Sequence, residues 1–456
     1  MAGIDFGLYL QTARYIRAGR SGIDRYQNIV HRTCQQKRHS IKTMNITIIG
    51  GGVIGLCSAY YLRQQGHNVT VIERNDITDG CSFGNMGYIS PSHFVPLATP
   101  GMVSQGIKWM MSSSSPFYIQ PRLDLDLMRW GFAFWRSANA RRMNESIPHL
   151  NNLLQLSRRL TKEMAHTMPG SFELLEKGCW MLYKTEKTGD HEKHLADQAT
   201  SLGLTTISCT RQQVQEKETA VEVDVAGGVL YVDDSHVNPA QMMSALYANL
   251  KAAGVKFWLK TNVTGFEKQG QRITKVLTDK ADLDVDELVI ANGSWIGPIS
   301  KMLGLRMLMQ PGKGYSMAYE GVKANLQHPS ILVDDRVATT PIREWLRIGG
   351  TMEMSGHNDR ILPKRVMAIY EAFKKYYPTI SISAPEPAKA WFGYRPVTPD
   401  GMPYIGRHSA FDNLIYAGGH AMLGVSAATG TGQLVSEIVA KQKTVIPVEA
   451  FRPDRF

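Results

Sequence analysis

Residues Asn45-Ile-Thr-Ile-Ile-Gly-Gly-Gly-Val-Ile-Gly-Leu-Cys-Ser-Ala-Tyr60 decide the fold. They hold Gly50, Gly52 and Gly55 in G-x-G-x-x-G spacing, a weak signal alone but here set in a complete context. The β-branched run 46–49 reads as a buried parallel strand. An apolar helical segment, 53–65, follows and stops at Gly66; a second strand, Val69-Thr-Val-Ile-Glu73, ends in an acid 18 residues beyond Gly55. This is a β-α-β dinucleotide-binding unit. Gly50 permits the tight turn, Gly52 lets a pyrophosphate approach the backbone, and Gly55 lets helix and strand pack closely. The helix start, with the N–H groups of Val53 and Ile54, presents positive dipole to phosphates. Glu73, followed by Arg74, is placed to accept hydrogen bonds from a ribose diol. NAD and FAD both use such a unit, so it leaves the cofactor open.

The 456 residues have room for two or three domains. No run approaches 18 uninterrupted apolar residues, so no transmembrane helix is expected. Five cysteines (Cys34, Cys57, Cys81, Cys179, Cys209) without C-x-x-C spacing fit a reducing compartment, with neither a disulfide framework nor a zinc site. His191 and His194 lack a third ligand beyond nearby Glu192 and read as a solvated helix face, so no metal is expected. The net charge of +11 hints at nucleic acid, but residues 1–43 hold eight Lys/Arg against two Asp, over half of the excess. This leader has no apolar core and is not a secretory signal. An organelle presequence, a basic tail or an upstream extension of the reading frame would each fit it; we expect a disordered segment with no part in chemistry.

Further along, 79–91 is rich in small residues and reads as a loop lying against a flat ligand. Residues 92–145 carry aromatic clusters around Trp109 and Trp130–Trp135, with a flexible break at 112–115; core packing is the favoured reading over a substrate entrance or a membrane contact. Leucine spacing over 147–165 predicts a packed helix. Strand, helix and strand recur over 228–263, residues 261–265 turn, and 287–297 reads as a buried strand ending in a glycine turn. The segment 306–390 alternates strands with a helix near 366–377. Residues 413–424 form a strand and glycine loop leading into a helix over 432–441. The expected class is α/β: a discontinuous dinucleotide-binding domain (44–95, 230–305, 391–445), an inserted α+β, mixed-sheet domain (96–229, 306–390) and a tail, 446–456.

Several of these stretches together resemble the D-amino-acid oxidase superfamily of FAD enzymes, most of all its bacterial D-amino-acid dehydrogenase branch. They are the 50–73 unit, Ser82-Phe-Gly-Asn-Met-Gly-Tyr-Ile-Ser-Pro91, Ala291-Asn-Gly-Ser-Trp295 with Pro311-Gly-Lys-Gly-Tyr-Ser316, Gly393-Tyr-Arg-Pro-Val-Thr-Pro-Asp-Gly-Met-Pro-Tyr-Ile-Gly406, and Gly418-Gly-His-Ala-Met-Leu-Gly424. The resemblance spans residues 44 to about 442 in the family's order and favours FAD over NAD. It implies a Rossmann-like FAD-binding domain of the glutathione-reductase/D-amino-acid oxidase type. Ser82, Asn85, Met86 and Gly87 would then lie beneath the flavin ring, Val263 at the adenine, and Ala291, Gly293 and Trp295 along the cofactor. Gly419, His420, Met422, Leu423 and Gly424 would wrap the pyrimidine side. Arg395 takes the place of the arginine that clamps the substrate carboxylate, a role suited to a planar, permanently charged guanidinium. His93, Tyr315 and Tyr394 fall near motif positions and are pocket candidates. No cysteine lies in 393–406, so the FAD is expected to be non-covalent.

The implied reaction is oxidative deamination of a D-amino acid, a hydride passing from Cα to flavin N5 and the imino acid hydrolysing to a 2-oxo acid and ammonia. A secondary amine such as D-proline or cis-4-hydroxy-D-proline stands as the alternative substrate. The resemblance also implies a quinone or other electron carrier and a cytoplasmic place, with peripheral contact on the inner face of the membrane. An RNA-modifying flavoprotein and a non-catalytic FAD binder are rivals; without a basic aromatic stripe in the body, no nucleic-acid partner is expected. The sequence leaves the oligomeric state open.

Overall fold

Strand Asn45–Ile49 runs through the middle of a six-stranded sheet. The order is Lys256–Trp258, Asn68–Ile72, Asn45–Ile49, Glu287–Ile290, Leu414–Gly418, Tyr404–Arg407. The first five strands are parallel and the last is antiparallel. Both faces of the central strand are covered. Ile46 and Ile48 pack with Leu56, Leu62 and Val435 from the helices Val53–Gln64 and Ala428–Val439. Ile49 and Ile72 instead meet Ile273 and Val276 of a three-stranded antiparallel sheet. Coverage on both sides explains the continuous apolar run.

The computed structural model describes residues 42–110, 115–168 and 170–456, with no side-chain description for 107–110. The leader expected over 1–43, all but its last two residues, lies outside the described residues, as do most of the break at 112–115 and the side chain of Trp109. Met44–Phe456 forms one compact unit.

The second layer is a mixed sheet. Its order is Trp391–Val397, Gln310–Tyr319, Trp345–Met354, Val337–Ile342, Ser330–Leu332, Cys179–Tyr183, Gly227–Tyr231, Thr206–Thr210, with Phe117–Ile119 pairing in parallel onto Trp345–Met354. Helix Pro363–Tyr376 buries Val366, Ile369 and Phe373 against Tyr315 and Ile348 of this sheet. The expected insertion of a mixed-sheet layer is present. Its edge strand Trp391–Val397 comes from the stretch expected in the dinucleotide-binding part, so that stretch serves both sheets.

The leucine helix is longer than its periodicity suggested: Ala140–Thr167, capped by the Asn139 side chain, which accepts from Arg142 N at 3.0 Å. Ser157 and Thr161 hydrogen-bond Thr429, tying it to the C-terminal helix. Two local expectations are corrected. Residues 261–265 do not simply turn: Val263–Gln269 is a strand of the three-stranded sheet. Its mostly exposed, polar side chains hid the apolar alternation that marks a strand. The last helix begins at Ala428 rather than 432, because its glycines are needed for close packing: a Cβ on Gly432 would sit 2.6 Å from the Cys57 carbonyl.

Candidate active site

One cavity of about 1270 Å³ runs between the two sheets. At one end it meets the β-α-β unit. Gly50 sits at φ +115°, and a Cβ there would lie 2.6 Å from the Ala291 carbonyl oxygen. Gly55 faces the Gly50 carbonyl so closely that no Cβ fits; it packs and does not line the cavity. Gly52, Val53 and Ile54 do line it. The helix they start has no side-chain cap from Gly52 and no acid in its first turn, so that apart from the Val53 N–H its positive end is left for an anion. The Ser82 hydroxyl takes the Val53 N–H at 3.0 Å. Glu73 accepts from Gly51 N at 2.7 Å and Asn75 N at 2.9 Å, at the same end as Val263. Arg74 lies 4.6 Å over the Trp295 ring, which stacks on His357.

The loop 82–87 forms the floor and is held by its own polar groups and by the second sheet. Asn85 closes it, donating to Ser82 O and accepting from Gly87 N at 2.7 Å. Gly87, at φ +74°, packs on the Val237 carbonyl. Thr340 donates to Met86 O, Ser316 to Gly84 O, and Arg347 to Asn85 O. Ser82, Asn85, Met86 and Gly87 all line the cavity, so the loop presents mostly backbone and small groups to it.

Arg395 lines the same cavity from strand Trp391–Val397. Strand Trp391–Val397 pairs with Gln310–Tyr319, opposing Arg395 to Gly312 and Gly393 to Gly314. Its Nη1 donates to the Thr351 carbonyl at 2.7 Å. Among the described residues no carboxylate lies within ion-pair distance of Arg395. Burial lowers its pKa to about 10, which leaves it charged at neutral pH. Thr351 holds φ +69°, a costly conformation for a β-branched residue, and that twist lies at the carbonyl Arg395 uses. Gly314 makes room: a Cβ there would overlap the guanidinium. Tyr394 and Tyr315 also line the cavity. Tyr394 exchanges hydrogen bonds with the Asn358 backbone, and its N–H meets the Cys81 sulfur. Tyr315 donates to the buried Glu353 at 2.8 Å. Lys313, two residues before Tyr315, is fully buried and donates to Asn358 Oδ1 and Arg360 O.

The C-terminal loop closes the site. His420, Met422, Leu423 and Gly424 line it. Gly419 does not; at φ +77° it packs on Thr398 and turns the chain. Ala291, Gly293 and Trp295 reach the cavity from the other side. A large ligand fits these walls. A Cβ on Gly293 or Gly424 would meet no atom within 4 Å, and buried His420 Nδ1 and Asn292 Oδ1 have no hydrogen-bond partner within the protein. With the uncapped helix and Glu73, these features suit a dinucleotide with a flat ring. His93 lines the cavity beyond the floor, backed by Ser92. Sequence reasoning missed Thr351, Ser92 and Asp234. Their roles depend on backbone angle and on contacts 142 residues apart, and a single sequence carries no signal for either. Of the two aromatic clusters, Trp130 and Phe134 turn out to line the cavity, while Phe132 and Trp135 are exposed.

Comparison with known proteins agrees with this geometry. Residues 45–438 match the family described as FAD dependent oxidoreductase, and the chain belongs to that family. It is therefore an FAD-dependent oxidoreductase. A D-amino acid dehydrogenase of Rhizorhabdus wittichii is 30% identical over 421 residues, covering 91% of this chain and 100% of the relative. Among solved structures, glycine oxidase from Geobacillus kaustophilus superposes with a TM-score of 0.73 at 22% identity, covering 91% of this chain and all of that one. L-proline dehydrogenase from P. horikoshii does so at 0.71 and 21%, covering 91% and 98%. These two likenesses concern the fold.

Proposed function

We propose that this enzyme oxidises D-amino acids to 2-oxo acids and ammonia, and that Arg395 binds the substrate carboxylate. The observation that carries this reading is the Arg395 guanidinium, charged, half-buried at the cavity wall and without an acidic partner among the described residues. A cation drawn partly out of water without a counter-charge is costly, and a ligand anion in the cavity offsets that cost. Nη1 rests on Thr351, which leaves the other N–H donors for a bidentate carboxylate. The residues lining 44–95, 230–305 and 391–445 hold FAD in this reading, and 96–229 with 306–390 shape the substrate side. Bound FAD supplies the two-electron acceptor for the Cα–H bond of the amino acid, whose imino product water hydrolyses. The chain's own part is to bind and to orient. With the carboxylate anchored and the side chain confined by apolar walls, only one enantiomer can turn its Cα hydrogen toward the cofactor. The names of the relatives favour D.

For the electron acceptor we propose a quinone or similar carrier met at a membrane surface. No helix among the described residues is long and apolar enough to cross a membrane. Helix Leu125–Ser137 instead has two apolar faces. One buries Trp130, whose indole N–H donates to Val397 O, and lines the cavity. The other exposes Leu125, Met128, Phe132 and Trp135, each at least 60% accessible, with Leu123 beside them. Arg136 flanks this stripe, as do Arg129 and Lys301, which share Asp126 as their acidic partner; basic residues beside an apolar stripe suit contact with anionic lipid. To test the reaction, the purified enzyme is incubated with a soluble quinone and individual D- and L-amino acids, D-proline and cis-4-hydroxy-D-proline. Release of 2-oxo acid and ammonia from D-amino acids supports it; turnover confined to the cyclic amines, or absent throughout, overturns it.

A further inference from the structure

We propose that His93, Ser92 and Asp234 form a proton relay that takes the ammonium proton of the substrate out of the cavity; this rests on the amino-acid reading above. An amino acid arrives as an ammonium ion, and its nitrogen must lose a proton before its lone pair can help expel hydride from Cα. Arg395, a cation, cannot accept that proton.

The three groups stand in line. His93 borders the cavity. Its Nδ1 lies 3.1 Å from Ser92 Oγ, and Ser92 Oγ lies 2.6 Å from Asp234 Oδ2. The Ser92 backbone N–H fixes the other carboxylate oxygen at 3.1 Å. Counting hydrogens sets the direction of each bond. While Asp234 is ionised, the one hydroxyl proton of Ser92 points to it, so His93 must donate from Nδ1 and keeps a free lone pair on Nε2. Once Asp234 is protonated, every bond in the row reverses and His93 carries its proton on Nε2.

The surroundings set where a proton rests. Asp234 is 1% accessible, and no Lys or Arg pairs with it among the described residues. Its neighbour Asp233 is taken by Arg158 at 2.7 Å. The Cys179 thiol and Tyr231 phenol that face it are buried and held neutral, with Glu192 and Arg336 a layer further out. Burial raises the Asp234 carboxyl to about 7 and lowers His93 to about 4. A proton accepted at His93 is therefore passed inward.

The transfer balances. The substrate N–H bond breaks as His93 Nε2–H forms, Nδ1 gives its proton to Ser92 Oγ, and the original Ser92 proton moves to Asp234 Oδ2. One proton changes place, no electron does, and the amine lone pair is freed. Ammonia from imine hydrolysis carries the proton away as ammonium, restoring the ionised carboxylate.

Two measurements test the relay. In FAD-loaded enzyme carrying ¹⁵N-histidine, NMR is expected to show His93 changing from the Nε2–H to the Nδ1–H tautomer as pH rises through about 7, with the change abolished in Asp234→Asn. A single His93 tautomer from pH 5 to 9 overturns the proposal, and the wild-type titration needs no variant. Anaerobic flavin bleaching by a D-amino acid in His93→Gln is expected to slow about 100-fold at neutral pH and to recover as the free amine forms in alkali. Wild-type bleaching with an unchanged variant profile overturns the relay alone. A wild-type flavin that no amino acid bleaches overturns the functional reading itself.

Discussion

The arginine of the G-x-R-P stretch is charged in a place where no described residue supplies a counter-charge, and two small features keep it there. Thr351 turns its carbonyl toward Nη1, and Gly314 leaves the guanidinium its room. In Gly314→Ala the new methyl meets only the end of a flexible side chain, so Arg395 moves while the fold and FAD stay. A misplaced clamp of this kind lowers kcat/KM by about 100-fold; steady-state kinetics with measured FAD content check it, and unchanged kcat/KM would count against the clamp. Gly55→Ala differs, because its Cβ meets the Gly50 backbone. Strand and helix must separate, and the purified variant is expected to emerge without bound flavin. Gly50, Gly52 and Glu73 were legible as candidates from motif spacing, and Arg395 from the family resemblance of its G-x-R-P stretch. Thr351 and the Ser92–Asp234 pair were not: a left-handed threonine has no compositional mark, and the pair joins residues from distant segments.

Helix Leu125–Ser137 carries apolar residues on two faces, and a sequence pattern alone does not tell which of them is buried. Its aromatic run suggested core packing, since apolar residues usually mean burial. With apolar residues on two faces, only the packed neighbours reveal which face is buried, and here Val397 takes the Trp130 side. The exposed stripe makes a prediction of its own. Phe132→Ser combined with Trp135→Ser removes about 3 kcal/mol of apolar transfer and weakens binding to anionic phospholipid vesicles about 100-fold, with flavin content unchanged. Sedimentation with vesicles measures this, and equal binding by both proteins would contradict the membrane face. The strand Val263–Gln269 was missed for the opposite reason, as an exposed meander needs no alternating apolar pattern.

At the scale of the whole molecule, the parallel sheet was readable from its first unit, because a strand, glycine turn, helix and acid admit one topology. The mixed sheet was readable only as a class, since its pairings join residues as far apart as 117 and 352. Burial also sets the pH dependence of stability. His93, His236 and His357 have pKa values lowered to about 4, and His420 to about 3, by desolvation. Unfolding returns them to near 6.5, so the unfolded chain binds more protons below that pH, and the stability present above 6.5 drains as pH falls toward 4. Asp234 and Glu192, raised to about 7, act in the opposite sense, favouring the folded form as pH falls. Four groups oppose two, so unfolding free energy is expected to fall by on the order of 1 kcal/mol per pH unit between 6.5 and 4.5. Denaturant titrations at several pH values check this, and a flat profile would contradict it. The central claim is that Arg395, half-buried at the cavity wall and without an acidic partner among the described residues, selects an amino acid for oxidation at Cα. The most direct measurement is anaerobic mixing of wild-type and Arg395→Ala enzyme with paired D- and L-amino acids while the flavin absorbance is followed. Rapid bleaching by the D-enantiomers in the wild type, lost in the variant with FAD still bound, is the predicted result. Bleaching that survives the loss of Arg395, or a wild-type flavin indifferent to every amino acid, would contradict it.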